Sequence, residues 1–291
     1  MEYGGRYICV GLNPCFDVTL TLRELDDDKV NRVVNERCEA AGVALNVARA
    51  LRNLRVSAQV CGFAGADNMQ HYMADVRREG IGASFIRIPG AIRENLTLLT
   101  EGKTIKINRA GPTVPAEAIA EMRGYLNTVA LPGDTVIFGG APAAGMKVEE
   151  YASLMELAGS LGLRVVIDTD VLKAEHLMRI KPWLIAPNIH ELEYIVSRKL
   201  ETEAERLEAC RELIRGGVEN VLLTLGSEGL LAVRVADHVR VHAKKVEVTN
   251  TVGAGDNALA GFICSLLEGQ SLEDSAVFAA RLAESVISRP M

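Results

Sequence analysis

Short apolar stretches alternate with segments of helical periodicity through most of the chain. RYICVGL (6–12) precedes GVALNVARALRNL (42–54), AQVCGF (58–63) precedes NMQHYMADVRREG (68–80), and DTVIFGG (134–140) precedes VEEYASLMELAGSLG (148–162). RVVIDTD (164–170) and WLIAPN (183–188) are each followed by a further helical segment. Apolar runs of strand length separated by helices predict βαβ units, and hence a mainly parallel sheet with helices on both faces. Two stretches break the rhythm. FDVTLTLRELDDDKVNRVVNE (16–36) and IRENLTLLTEGKTIKINR (92–109) alternate with period two and leave no room for a helix, so they predict strand pairs standing apart as a small β lid. TLGSEGLL (224–231) reads as strand, glycine turn, strand. No repeat, linker or low-complexity segment divides residues 1–291, which predicts a single α/β domain with an inserted lid.

Composition narrows the class. Of the 291 residues, 48% are hydrophobic, enough for a buried core. The longest apolar run, Ala258 to Leu267, is broken by Gly261 and Ser265 and falls short of the roughly 20 residues needed to span a bilayer. The start, MEYGGRYICV, lacks the basic and apolar regions of a signal peptide, so a cytoplasmic location is expected. Six scattered cysteines without a C-x-x-C pair argue against a zinc site or a disulfide framework. A net charge of −6 argues against nucleic acid or an anionic membrane surface as a partner.

Candidate chemistry concentrates in four motifs. TVGAGDNALAGF (251–262) puts Gly253, Ala254, Gly255 and Asp256 ahead of an apolar helical run. Glycines there can hold an anion on backbone N–H groups, and Asp256 is either a helix cap or a base beside a phosphate. The G-x-G-x-x-A spacing of Gly253, Gly255 and Ala258 lies too near the end of the chain for a dinucleotide fingerprint. The sequence GKT (102–104) lacks a P-loop's first glycine, which would fall at Thr97. In AAGVALNVARAL (40–51), Asn46 follows Gly42 by one helical turn, either as a cap or core polar group or as a reader of sugar hydroxyls. In APNIHELE (186–193), Asn188 and Glu191 share a helix face, fit either for a magnesium hydration shell or for a capping box. TLGSEGLL is a plain hairpin or an edge on which a nucleotide lies.

Together and in this order, these segments resemble the ribokinase-like sugar kinases of the PfkB family. The likeness runs over nearly the whole chain: LNPCFD (12–17) is similar to the N-P-x-x-D opening of the branch that phosphorylates sugar phosphates, followed by the N-V-A helix, N-x-x-E and TVGAGD. The resemblance implies a ribokinase-like three-layer α/β fold and transfer of phosphate from ATP, with Mg²⁺, to a ketohexose phosphate such as fructose 1-phosphate, fructose 6-phosphate or tagatose 6-phosphate. It further implies Asp256 as general base, with the N–H groups of Gly253, Ala254 and Gly255 stabilising the transferring group. Asp17, Gly42, Asn46, Arg93 and Asn95 would bind the acceptor, Arg93 gripping its phosphate, with Lys29, Arg32, Lys103, Lys106 and Arg109 as further lid candidates. Asn188 and Glu191 would organise Mg²⁺, and Thr224, Gly226 and Gly229 would border the nucleotide. A homodimer joined through the lids is expected, because exposed lid strands need covering.

The chain departs from the family pattern at Val43, where a second glycine is usual, at Gly139 and Ala141, where hydroxyl side chains are usual, and at Ala186, where a lysine is usual. It also stops soon after FAARLAESVIS (278–288), where members of the family usually continue. Two alternatives stand beside this reading: a kinase for an unphosphorylated sugar or nucleoside, against which the N-P-x-x-D opening and Arg93 argue, and, allowed by these departures, a catalytically weakened binding protein of the same fold.

Overall fold

The computed structural model describes residues 5–26, 28–244 and 253–288. Thirteen strands and nine α-helices are assigned among them. The strands are β1 (Tyr7–Gly11), β2 (Cys15–Leu22), β3 (Val33–Ala41), β4 (Ala58–Gly65), β5 (Gly82–Ile88), β6 (Arg93–Thr100) and β7 (Lys103–Asn108), then β8 (Thr135–Gly139), β9 (Arg164–Asp168), β10 (Leu184–Ile185), β11 (Asn220–Thr224), β12 (Gly229–Arg234) and β13 (Asp237–His242). The helices are α1 (Val43–Asn53), α2 (Met69–Arg78), α3 (Ala116–Val129), α4 (Val148–Ser160), α5 (Ala174–Ile180), α6 (Ile189–Val196), α7 (Glu203–Arg215), α8 (Ala254–Leu267) and α9 (Leu272–Ile287).

Nine strands form the main sheet in the order β13-β12-β11-β10-β9-β8-β1-β4-β5. Neighbours from β5 to β11 pair in parallel, and β12 and β13 continue antiparallel, with β11, β12 and β13 paired in chain order. Strand β1 is buried along its whole length, and its side chains alternate between two cores. Ile8 and Val10 pack with residues of α3, α4, α6 and α7, whereas Tyr7 and Cys9 pack with residues of α1, α2, α8 and α9. Two helical layers on one sheet make the three-layer arrangement that the alternating pattern predicts.

The remaining strands form a separate sheet in the order β3-β2-β6-β7. Strand β3 runs on to Ala41, beyond the expected limit at 36, and delivers the chain directly to Gly42 and α1. Residues 33–39 of β3 are all exposed, so no apolar alternation marks the strand's extent in the sequence. The root of the lid is anchored: Phe16 meets the Tyr72 ring edge-on at 5.6 Å, and the Tyr72 hydroxyl donates to the Ala41 carbonyl at 3.0 Å.

Candidate active site

The first cavity is built where the lid meets the main sheet. Strand β2 pairs with β6 in parallel, which sets Cys15 opposite Arg93 and Asp17 opposite Asn95. The Asn95 amide donates to Asp17 Oδ1 at 3.2 Å and lies 3.2 Å from Cys15 Sγ. These residues, with Asn13, Gly42, Val43 and Asn46, line a cavity of about 200 Å³ that Gly139, Gly140 and Ala141 close from the tip of β8. Two buried polar atoms in its wall, Arg93 Nε and Asn95 Oδ1, have no hydrogen-bond partner in the protein. Buried polar atoms left unpaired cost stability unless a ligand satisfies them, so this wall is preorganised for a polar ligand.

A second cavity, about 220 Å³, lies at the carboxyl ends of β9, β10 and β11 and is lined by Val43, Asp168, Ala186, Asn188, Glu191, Thr224, Gly255 and Asp256. Ligands of open α/β sheets bind at this end of the strands. Gly253, in the left-handed conformation with φ 79°, is the N-cap of α8, and Asp256 lies in the first turn without acting as a side-chain cap. The N–H groups at the start of this helix have no intrahelical acceptors and face the helix's positive end, an arrangement suited to an anion.

Asp256 receives a hydrogen bond from the Asn46 side chain, yet burial dominates and pushes its carboxyl up to about 6. The Asn46 amide is oriented by Arg49, whose Nη1 donates to Asn46 Oδ1 at 3.3 Å, leaving the amide nitrogen to face Asp256. Arg49 is itself held by Glu79 and the Ala40 carbonyl. Asp168 is raised well above the ordinary carboxylate range by burial, with added repulsion from Asp256, Glu191 and Asp170. Glu191 is also raised, chiefly by burial.

The other motif residues have local duties of their own. Asn188 and Glu191 form a reciprocal capping box on α6: Glu191 N donates to Asn188 Oδ1 at 3.0 Å, and Asn188 N donates to Glu191 Oε2 at 2.9 Å. The box spends one oxygen of Glu191 and turns the carboxylate toward the second cavity. Thr224 lines that cavity, but Gly226 and Gly229 line neither. Gly229 is required by packing, since a Cβ there would stand 2.1 Å from the Val241 carbonyl oxygen. Lys29 is on the exposed lid loop paired with Asp26 at 2.6 Å, away from both cavities. Arg109 pairs with Glu94, and Arg32, Lys103 and Lys106 are exposed. Thr251 and Val252, the first residues of TVGAGD, lie outside the described residues.

Three contributors carry no signal in the motif reading: Cys15, Arg49 and Asp168. Asp168 is the last residue of β9, within RVVIDTD, and only its place at the carboxyl end of a parallel strand sets it apart. The four positions that depart from the family pattern line the cavities, Val43 both of them, Gly139 and Ala141 the first, and Ala186 the second.

A helix start suited to an anion, a recessed carboxylate beside it and an adjoining polar pocket are the parts that phosphoryl transfer requires. Comparison with known proteins agrees: the family model described as pfkB family carbohydrate kinase matches residues 8–291, and the chain belongs to that family. It is therefore a sugar kinase, a phosphotransferase that uses ATP. Among curated relatives, a 1-phosphofructokinase of Borreliella burgdorferi is 29% identical over 92% of this chain and 87% of its own, and a tagatose-6-phosphate kinase of Staphylococcus epidermidis is 29% identical over 90% and 86%. A solved structure of phosphofructokinase-2 from Escherichia coli in complex with substrates and products shares the fold with a TM-score of 0.88, at 23% identity and coverage of 98% of this chain and 93% of that one. No helix among the described residues is long and apolar enough to cross a membrane.

Proposed function

We propose that this chain transfers the γ-phosphoryl group of ATP to a hydroxyl of a ketohexose phosphate, with fructose 1-phosphate, fructose 6-phosphate and tagatose 6-phosphate as the candidate acceptors. The observation that carries the reading is the unpaired Arg93 Nε and Asn95 Oδ1 in the wall of the first cavity. A guanidinium suits a phosphate and an amide oxygen suits a sugar hydroxyl, so a phosphorylated sugar satisfies both. Both curated relatives named above are sugar-phosphate kinases by name, which favours this acceptor over a neutral sugar or nucleoside.

In this reading Asp17, Gly42, Asn46 and Asn95 orient the sugar, and Arg93 holds its phosphate. Asp256 accepts the proton of the attacking hydroxyl, a task for which a carboxyl held near 6 is well matched at neutral pH. The N–H groups of Gly253, Ala254 and Gly255 stabilise charge on the group in transit. Asp168 and Glu191 repel one another across the second cavity, and a cation there relieves that repulsion. Mg²⁺ keeps waters and phosphate oxygens among its ligands, so one or two protein carboxylates suffice to hold it. Asp168 and Glu191, with Asn188 holding Glu191, would thus retain Mg²⁺, which when bound neutralises charge on the phosphates. Thr224 borders the same cavity on the nucleotide side. The exposed Val33, Val34 and Ile107 of the lid give two copies apolar surface to share, which supports a homodimer through the lids.

The test is ADP release with Mg-ATP across the three phosphorylated ketohexoses, fructose, ribose and adenosine, for the wild type and Arg93→Ala. We expect turnover with a ketohexose phosphate, and in the variant a KM for that sugar raised about 100-fold. Turnover confined to a neutral acceptor, or an unchanged KM in the variant, overturns the reading.

A further inference from the structure

Two of the positions that break the family pattern touch each other. Val43 opens α1 and is the one side chain that lines both the acceptor cavity and the cavity containing Asp256 among the described residues. Its isopropyl group rests against the tip of β8. A Cβ placed on Gly139 would stand 3.0 Å from Val43 Cγ1 and 3.0 Å from Ala44 N, and one on Gly140 would stand 3.5 Å from Val43 Cγ2. The bulk at 43 fits because position 139 has none. Valine is branched at Cβ and stiff at χ1, so it has little freedom to swing aside.

The location gives this wall a consequence. On the reading of the first cavity as the acceptor site, the reacting arm of the sugar must pass Val43 to reach Asp256. The rest of the wall offers polar partners in Asp17, Asn46, Arg93 and Asn95, whereas Val43 offers none. A sugar hydroxyl turned toward the isopropyl group loses water and gains no hydrogen bond, while its epimer turns that hydroxyl away. We propose that Val43, seated against Gly139, is a specificity-determining residue, an apolar partition that discriminates between ketohexose phosphates differing in the configuration of one ring hydroxyl. The same contact makes residues 43 and 139 an interdependent pair.

The experiment compares kcat/KM for the 1-phosphates and 6-phosphates of fructose and tagatose, which are epimers at C4, in the wild type, Val43→Gly, Val43→Ala, Gly139→Ser and the Val43→Gly/Gly139→Ser double variant. We expect the wild type's preference for one epimer to fall about 10-fold in Val43→Gly, through improved use of the disfavoured sugar, with Val43→Ala intermediate. Gly139→Ser alone should raise the sugar KM, and the double variant should recover in part toward Val43→Gly, because the contact with Val43 Cγ1 is relieved while that with Ala44 N remains. An epimer preference unchanged in both position-43 variants overturns the inference and leaves the kinase reading standing. So does a Gly139→Ser defect of equal size with and without Val43. A wild type silent toward all four sugars overturns the kinase reading, and this inference with it.

Discussion

Replacing Asp256 by asparagine should remove activity and add stability at once. The folded protein holds the Asp256 proton up to about pH 6, against an ordinary value of 3.8, because burial disfavours the charged carboxylate more than the Asn46 hydrogen bond helps it. Between those values the folded state binds more protons than the unfolded chain, so stability falls as pH rises through the window, and the whole penalty is present above pH 6. A rise from 3.8 to about 6 corresponds to about 3 kcal/mol at neutral pH. Asparagine keeps the shape and removes the charge, and it also relieves the repulsion that Asp256 exerts on Asp168. Thermal unfolding of wild type and Asp256→Asn, without Mg²⁺ or nucleotide, should show the variant more stable by up to about 3 kcal/mol at pH 8, a gain of several degrees in Tm. The gap should close as pH falls to about 4. Under assay conditions kcat should drop about 100-fold or more, with nucleotide binding retained. A variant no more stable than wild type at pH 8, a stability gap indifferent to pH, or near-normal kcat would refute the reasoning.

Two further predictions concern the frame around the site. Arg49 bonds Glu79 twice, at 2.6 and 2.7 Å, and holds the Glu79 carboxyl below its ordinary range. Arg49→Met should cost about 2 kcal/mol in denaturant unfolding at pH 7. Because a lowered carboxylate loses its stabilisation as pH falls, the deficit should shrink at pH 4, and a constant deficit would show that the ion pair is not its source. On the lid, Val34 is 59% exposed, so Val34→Asp should turn a dimer into a monomer in sedimentation experiments without changing the circular dichroism. An unchanged mass would place the dimer contact elsewhere or exclude one.

Much of this architecture is written in local pattern. Buried parallel strands such as YICVG and TVIFG declare themselves as unbroken apolar runs, and amphipathic helices such as VALNVARALRN follow from spacing, because each pattern reflects the faces its element must bury. The period-two lid strands were legible for the same reason, except along the outer part of β3, where exposure on both faces erases the alternation. TVGAGD marked a helix start with a carboxylate in its first turn, and α8 begins there with Gly253 as its N-cap and Asp256 in the first turn. Adjacency across the fold was not legible. The sequence does not say that Asn46 faces Asp256, that Arg49 orients that amide, or that Asp168 shares a cavity with Glu191. It presents Val43 and Gly139 as two separate departures, 96 residues apart by their numbers, and only the packing of α1 on β8 makes them one contact. Local periodicity depends on which face of an element meets water, so one segment suffices to reveal it. Charge burial, hydrogen-bond orientation and cavity shape depend on which distant elements the sheet brings together, and those are decided only in three dimensions.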